Sequence, residues 1–304
     1  MHRLLITLLF AAGTALAAGA ASAAGTAPAG SGTGGAGDSE HALQLGRGSR
    51  LFIAASVNGH AVEALLDSAA EITLVDRSFA QRIGLGGGES VTGRGSGQST
   101  FEAQLIPGVT LVGLGLTLTG QTVATADLGD VGRRLLGRQL EVILGRELFD
   151  AARLEIDIGR RRIRVLDAAA TPRGLRFELV SEHGVETLPA AIEGRAPVRA
   201  TLDFGNGSKV LVSRRYAAAA GLLTDGRRVR TERGGGLGGE TERASFVLRS
   251  LEIGGLRLRN VAAAIDPNDS ASDLNVGVAV LRRFVVTTDY AGHAAWLLPA
   301  AGAR

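Results

Sequence analysis

"ALLDSAAEITLV" (residues 64–75) runs from apolar, strand-forming residues into an aspartate and back into β-branched residues. "ATLDFGNGSKVLV" (residues 200–212) repeats that plan far downstream. Each apolar run ends on an acid, Asp67 or Asp203, followed by small or turn-prone residues. A lone aspartate at a strand end is usually a turn residue or a helix cap. Two of them in matched surroundings need another explanation.

Outward from these runs, the chain from Arg50 reads as a diverged duplication. The first copy opens "RLFIAASVNGHAVEALLD" and the second "TLPAAIEGRAPVRATLD", each an alternating strand, a turn (Asn58-Gly59 or Glu193-Gly194) and a second strand ending on aspartate. Next come "ITLVDRSFAQRIGL" and "KVLVSRRYAAAAGLL", a short β run and then a helical turn closed by Gly84-Leu85 or Gly221-Leu222. Glycine-rich stretches follow, "VTGRGSGQST" and "RTERGGGLGGETE", and then further strands. Each copy ends alike, with Gly145 and Asp157 in one and Gly277 and Asp289 in the other. Asp157 and Asp289 read as turn residues. Short runs with two-residue periodicity and Gly-rich turns predict a mainly β chain of two homologous lobes with a few short helices. The lobes are placed at 49–170 and 171–304.

A duplicated lobe that carries one aspartate at the same place in each copy has a chemical use. Two lobes facing across an approximate twofold axis bring two carboxyls together. Like charges that close cannot both ionise, so the pair holds one proton between them, one member acting as base and the other as acid. Such a pair activates water against a peptide carbonyl without a metal or a covalent intermediate.

At these residues the chain resembles the aspartic proteases, in particular two-lobed bacterial retropepsin-like proteins. "LLDSAA" with "ILG" (143–145) carries the resemblance in the first lobe, and "TLDFGNG" with "NVG" (275–277) in the second. It covers residues 50–298 and implies β-barrel-like lobes with the active site between them. It implies Asp67 and Asp203 as the catalytic pair, supported by Ser68, Ala69 and Ala70 in one turn and Phe204, Gly205 and Asn206 in the other. It also implies substrate-covering hairpins at Arg94, Gly95, Ser96 and Gly97, and at Gly235 and Gly236. In the family the residue after each aspartate carries a hydroxyl that reaches the other lobe; Ser68 supplies one and Phe204 does not. The following position is normally glycine, kept as Gly205 but replaced by Ala69. If that turn needs φ > 0, the alanine costs about 1 kcal/mol. The resemblance implies an aspartic endopeptidase acting on peptides or unfolded proteins. The alternative is a weak or inactive member that grips extended peptides or partner proteins in the cleft.

Composition narrows the rest. The 304 residues carry a net charge of +3, no cysteine and a single lysine, Lys209. Without cysteine there is no disulfide, thiolate nucleophile or cysteine metal site. The densest basic run, "GRRRIRV" (159–165), lacks interleaved aromatics and reads as a strand with a solvated arginine face, so no nucleic-acid partner is expected. The five histidines are scattered, and neither Gly-x-Ser-x-Gly nor His-Glu-x-x-His occurs, so no metal and no cofactor is expected. Residues 1–23 have the basic start, apolar stretch and Ala21-Ser22-Ala23 of a signal peptide, which predicts a periplasmic or secreted protein with no stable membrane insertion after cleavage. Residues 24–48 are rich in Gly, Ala, Ser and Thr and read as a flexible linker. Two fused lobes complete the site within one chain, so a monomer is expected.

Overall fold

The computed structural model describes residues 5–6, 39–268 and 272–302. The rest of the expected signal peptide and residues 24–38 of the expected linker lie outside them. Ahead of the first lobe stand β1 (Leu5–Ile6), β2 (Ser39–Ala42) and β3 (Gln44–Leu45). The first lobe opens with β4 (Leu51–Val57), β5 (His60–Leu66), β6 (Leu74–Asp76) and α1 (Arg77–Arg82). It continues through β7 (Glu89–Arg94), β8 (Thr100–Gly113), β9 (Leu116–Ala126) and α2 (Gly129–Val131). It closes with β10 (Val142–Leu144), α3 (Glu147–Ala151), β11 (Arg153–Asp157) and β12 (Arg162–Leu166).

The second half opens with β13 (Leu175–Glu178) and β14 (Val180–Glu182) and then repeats the series. First come β15 (Val185–Ile192), β16 (Val198–Asp203), β17 (Val210–Ser213) and α4 (Arg214–Ala219). Next are β18 (Arg230–Gly234), β19 (Thr241–Ile253), β20 (Leu256–Asp266) and β21 (Leu274–Gly277). Last are α5 (Val278–Leu281), β22 (Phe284–Asp289) and β23 (Ala294–Pro299). The fold is mainly β, with two β-rich lobes of the same plan. In the first, β10 lies between β5 and β6; in the second, β21 lies between β16 and β17. The parallel pairs β5–β10 and β16–β21 put Leu66 beside Leu144 and Asp203 beside Gly277.

Local chemistry explains the repeats. Asn58-Gly59 and Glu193-Gly194 both have positive φ (47° and 81°, 55° and 72°), as a two-residue hairpin turn of the twisted kind demands. Asp76 caps α1 by accepting from the Ser78 and Phe79 N–H groups, and Ser213 caps α4 by accepting from Tyr216 N–H. Both helices end through a left-handed glycine, Gly84 or Gly221. The Leu85 and Leu222 N–H groups then bond back to the carbonyls of Ala80 and Ala217. Asp157 and Asp289 accept from the N–H groups of Arg160 and Gly292 and hold hairpin turns, as read from the sequence.

The lobes are joined by a third sheet in the order β13-β23-β22-β11-β12-β2, in which β11 of the first lobe pairs with β22 of the second. The apolar core is continuous across them, with Leu66, Leu144 and Phe149 in the same cluster as Leu202, Phe204 and Val276. The linker reading is corrected over residues 39–48. Ser39–Ala42 pair with β12, Gln44–Leu45 pair with β4, and Leu43 is buried in the core. Burial alternates along Ser39–Ala42, as on a sheet edge, but the small-residue composition upstream masks so short a segment. Among the described residues no helix is long and apolar enough to cross a membrane.

Candidate active site

Asp67 and Asp203 stand at the ends of β5 and β16, and both are buried. Their turns are built alike. Asp67 Oδ1 accepts the Ala69 N–H at 2.9 Å, and Asp203 Oδ1 accepts the Asn206 N–H at 2.9 Å. Each turn is clasped just past the end of its parallel partner strand, as the Ala70 carbonyl accepts from Arg146 N–H and the Asn206 carbonyl from Val278 N–H. The glycines of "ILG" and "NVG" make that clasp fit. A Cβ on Gly145 would lie 2.8 Å from the Ala70 carbonyl oxygen, and one on Gly277 would collide with that of Asn206.

The Asp67 carboxyl lies against the turn that carries Asp203. Gly205 has no side chain where the Asp67 carboxyl lies, so a Cβ there would overlap it. Burial, and then the neighbouring charge of Asp203, hold the Asp67 carboxyl well above the ordinary carboxylate range. Asp203 is also raised by burial, and Asn275, Arg50 and the backbone N–H groups of Asn206 and Gly205 oppose that by favouring its ionised form. The arrangement is a pair of adjacent buried carboxyls that resists losing both protons.

Ser68 reaches across to the second lobe. Its hydroxyl donates to the Leu202 carbonyl at 2.7 Å and accepts the Phe204 N–H at 3.1 Å. Phe204 links the lobes by a different interaction. Its fully buried ring stacks on Phe149 of α3, centroids 5.9 Å apart, and Phe149 stacks in turn on Tyr290 at 5.4 Å. The Tyr290 hydroxyl, whose pKa burial pushes up, hydrogen-bonds Ser68. Ala69 avoids the expected strain: its φ is negative, and its side chain packs on Val185.

The two glycine-rich stretches form the β7–β8 and β18–β19 hairpins, whose tips join. Gly97 N–H donates to the Leu237 carbonyl at 2.8 Å, and Ser99 N–H to that of Gly238 at 2.9 Å. Gly95 and Gly97 have to be bare, since a Cβ on either would strike Leu237 or Gly238. Asn268 donates to the Ser96 and Gly97 carbonyls, and Arg243 to that of Ser96. Arg134 donates to the carbonyls of Gly235 and Gly236. Arg94 closes β7 as the last residue before this tip. Leu237 leaves its own lobe and is buried among Phe52, Ala70, Leu74 and Ile143 of the first.

Sequence reading missed Asn275, Arg50 and Arg134. Only Asn275 left a local signal, a lone amide in an otherwise apolar strand.

Beside the first turn, Glu71 lies against Gly184, and burial raises its pKa to about 7, opposed by Arg146. A carboxyl whose folded pKa exceeds its unfolded one stabilises the fold fully below the unfolded pKa and loses that contribution as pH rises through the folded value. Stability should therefore fall between about pH 4.5 and 7 by on the order of 1–2 kcal/mol, reduced by Glu71's partial exposure. Glu71→Gln should flatten that fall in urea melts run across the window; an unchanged slope assigns it elsewhere.

A family model described as aspartyl protease matches residues 53–148 and 188–280, more than half of the chain. Among solved structures, the chain is similar to a retropepsin-like aspartic protease from Rickettsia conorii. Identity is 17%, the match covers 40% of this chain and 87% of that one, and the TM-score is 0.31. No curated protein sequence matches significantly.

Proposed function

The chain belongs to the aspartyl protease family, and on that premise we propose that it is an exported endopeptidase hydrolysing peptide bonds with Asp67 and Asp203. The observation that carries this reading is the placing of two buried aspartates at equivalent positions, one from each lobe, with the Asp67 carboxyl against Gly205 of the Asp203 turn and within reach of the Asp203 charge. With one proton between them, the ionised member takes a proton from water as its oxygen attacks the peptide carbonyl. The protonated member gives its proton to the carbonyl oxygen, forming a tetrahedral diol. Proton transfer to the nitrogen then breaks the C–N bond, leaving a carboxylic acid and an amine for one water consumed. Ser68 and the Phe204–Phe149 stack hold the lobes in register, so the carboxyls keep their separation during the reaction. The joined hairpins serve as a cover that parts to admit an extended peptide or unfolded protein. The leader-like residues 1–23 support export, and the two lobes of one chain support action as a monomer.

Incubating the chain with a permanently unfolded protein at acidic pH tests this. Mass spectrometry should find internal cleavages with new free amines and carboxyls. Peptide that is bound yet intact at every pH would instead assign the cleft to capture without hydrolysis.

A further inference from the structure

The two aspartyl turns match in backbone but differ in what surrounds the carboxyls. At the place where β10 carries Ile143, two residues before its glycine, β21 carries Asn275, buried in the second lobe. Asn275 Nδ2 donates to Asp203 Oδ2 at 2.7 Å. Its orientation is dictated by a chain of bonds rooted in the backbone. Asn206 Oδ1 accepts the Ser208 N–H, and Asn206 Nδ2 donates to the Lys209 carbonyl and to Asn275 Oδ1. Asn275 therefore has only its NH₂ left to offer Asp203. Both Asp203 oxygens receive donors. Asp67 Oδ1 accepts from Ala69, whereas its Oδ2 is buried with no hydrogen-bond partner among the described residues.

Arg50 adds to this asymmetry. It ends the turn between β3 and β4, closed by the Gly46 N–H bond to the Arg50 carbonyl at 2.8 Å, and that turn lies on the second lobe. Gly207 lacks a Cβ where the Gly48 carbonyl crosses, and the same Cβ would be 3.2 Å from Arg50 Cδ. Arg50 Nη1 donates to the Gly205 carbonyl. The charged groups facing it are Asp203, then Asp67, and Arg243 of β19, which opposes them.

Building on the reading of Asp67 and Asp203 as a proton-sharing pair, we propose that Asn275 and Arg50 are positioning residues that keep the charge on Asp203 and the proton on Asp67. Asp203 is then the base toward water and Asp67 the acid toward the carbonyl oxygen. Asp67 Oδ2 is the one carboxyl oxygen of the pair that can carry a proton without displacing a donor.

The test reads proton binding in the full chain by carbon NMR of ¹³C-carboxyl-labelled aspartate. Asp203 observed in Asp67→Asn should titrate at least about one pH unit below Asp67 observed in Asp203→Asn. Adding Asn275→Ile or Arg50→Met to Asp67→Asn should raise the Asp203 midpoint by about one unit, and Arg50→Lys should restore most of the Arg50 effect. Equal midpoints in the two single variants overturn the proposal, as does an Asp203 midpoint that neither added substitution moves. The single-variant comparison decides the matter even if an added substitution prevents folding. A chain that titrates as expected but cleaves nothing supports this inference and overturns the hydrolytic reading instead.

Discussion

Asp67→Asn should abolish peptide cleavage, by about 10³-fold or more in kcat/KM, while leaving the protein folded and more stable near neutral pH. The amide keeps the Oδ1 acceptor that the Ala69 N–H requires. Its NH₂ stands where the unpartnered Asp67 Oδ2 was, but it has no acidic proton to give. The stability gain follows from linkage. The raised Asp67 carboxyl stabilises the fold when protonated and loses that contribution as pH rises through its folded pKa, so removing the ionisation removes the loss. Activity and stability therefore move in opposite directions, which separates a functional loss from misfolding. Cleavage kinetics and denaturant melts at two pH values check it; a variant that is inactive because it is unfolded, or one that still cleaves, contradicts it.

The second large effect concerns Phe204. Family resemblance suggests restoring a hydroxyl there, and Phe204→Thr is the natural substitution. The structure predicts that it fails. The Phe204 ring is fully buried and stacked on Phe149, so truncation leaves a cavity and costs about 3 kcal/mol or more. The Ser68 hydroxyl already bonds the Leu202 carbonyl, the Phe204 N–H and the Tyr290 hydroxyl, so a second bridging hydroxyl meets an occupied network. Turnover should not rise, whereas Phe204→Leu should lose only part of that stability. Urea unfolding beside steady-state kinetics checks both. A threonine variant as stable as the parent and faster would show that the stack is dispensable.

How legible this was from sequence depended on how local each cause is. Asp67, Asp203, the clasp glycines Gly145 and Gly277, the helix-ending Gly84 and Gly221 and the two hairpin tips all announce themselves within a few residues of chain. Each is required by a turn, a cap or a close backbone approach. Arg50 was invisible as a site residue because its place at Gly205 depends on a turn crossing to the other lobe, a contact that no spacing encodes. Leu237 reads as one apolar residue in a glycine loop, and only tertiary packing reveals that it fills the first lobe. Asp266 stands between an apolar run and a polar stretch, and only the fold shows it buried at the end of β20, where it accepts the Asn268 N–H. The mismatch of Ile143 with Asn275 was in plain view. Its meaning needed the Asp203 oxygen beside it.

The pH dependence of kcat/KM on an unfolded peptide substrate bears most directly on two carboxyls acting through one proton. Measured from about pH 3 to 8, it should be bell-shaped, falling on the acid side as the pair gains its second proton and on the alkaline side as it loses its last. A rate that stays flat across that range, or a bell that survives in Asp67→Asn, would contradict it.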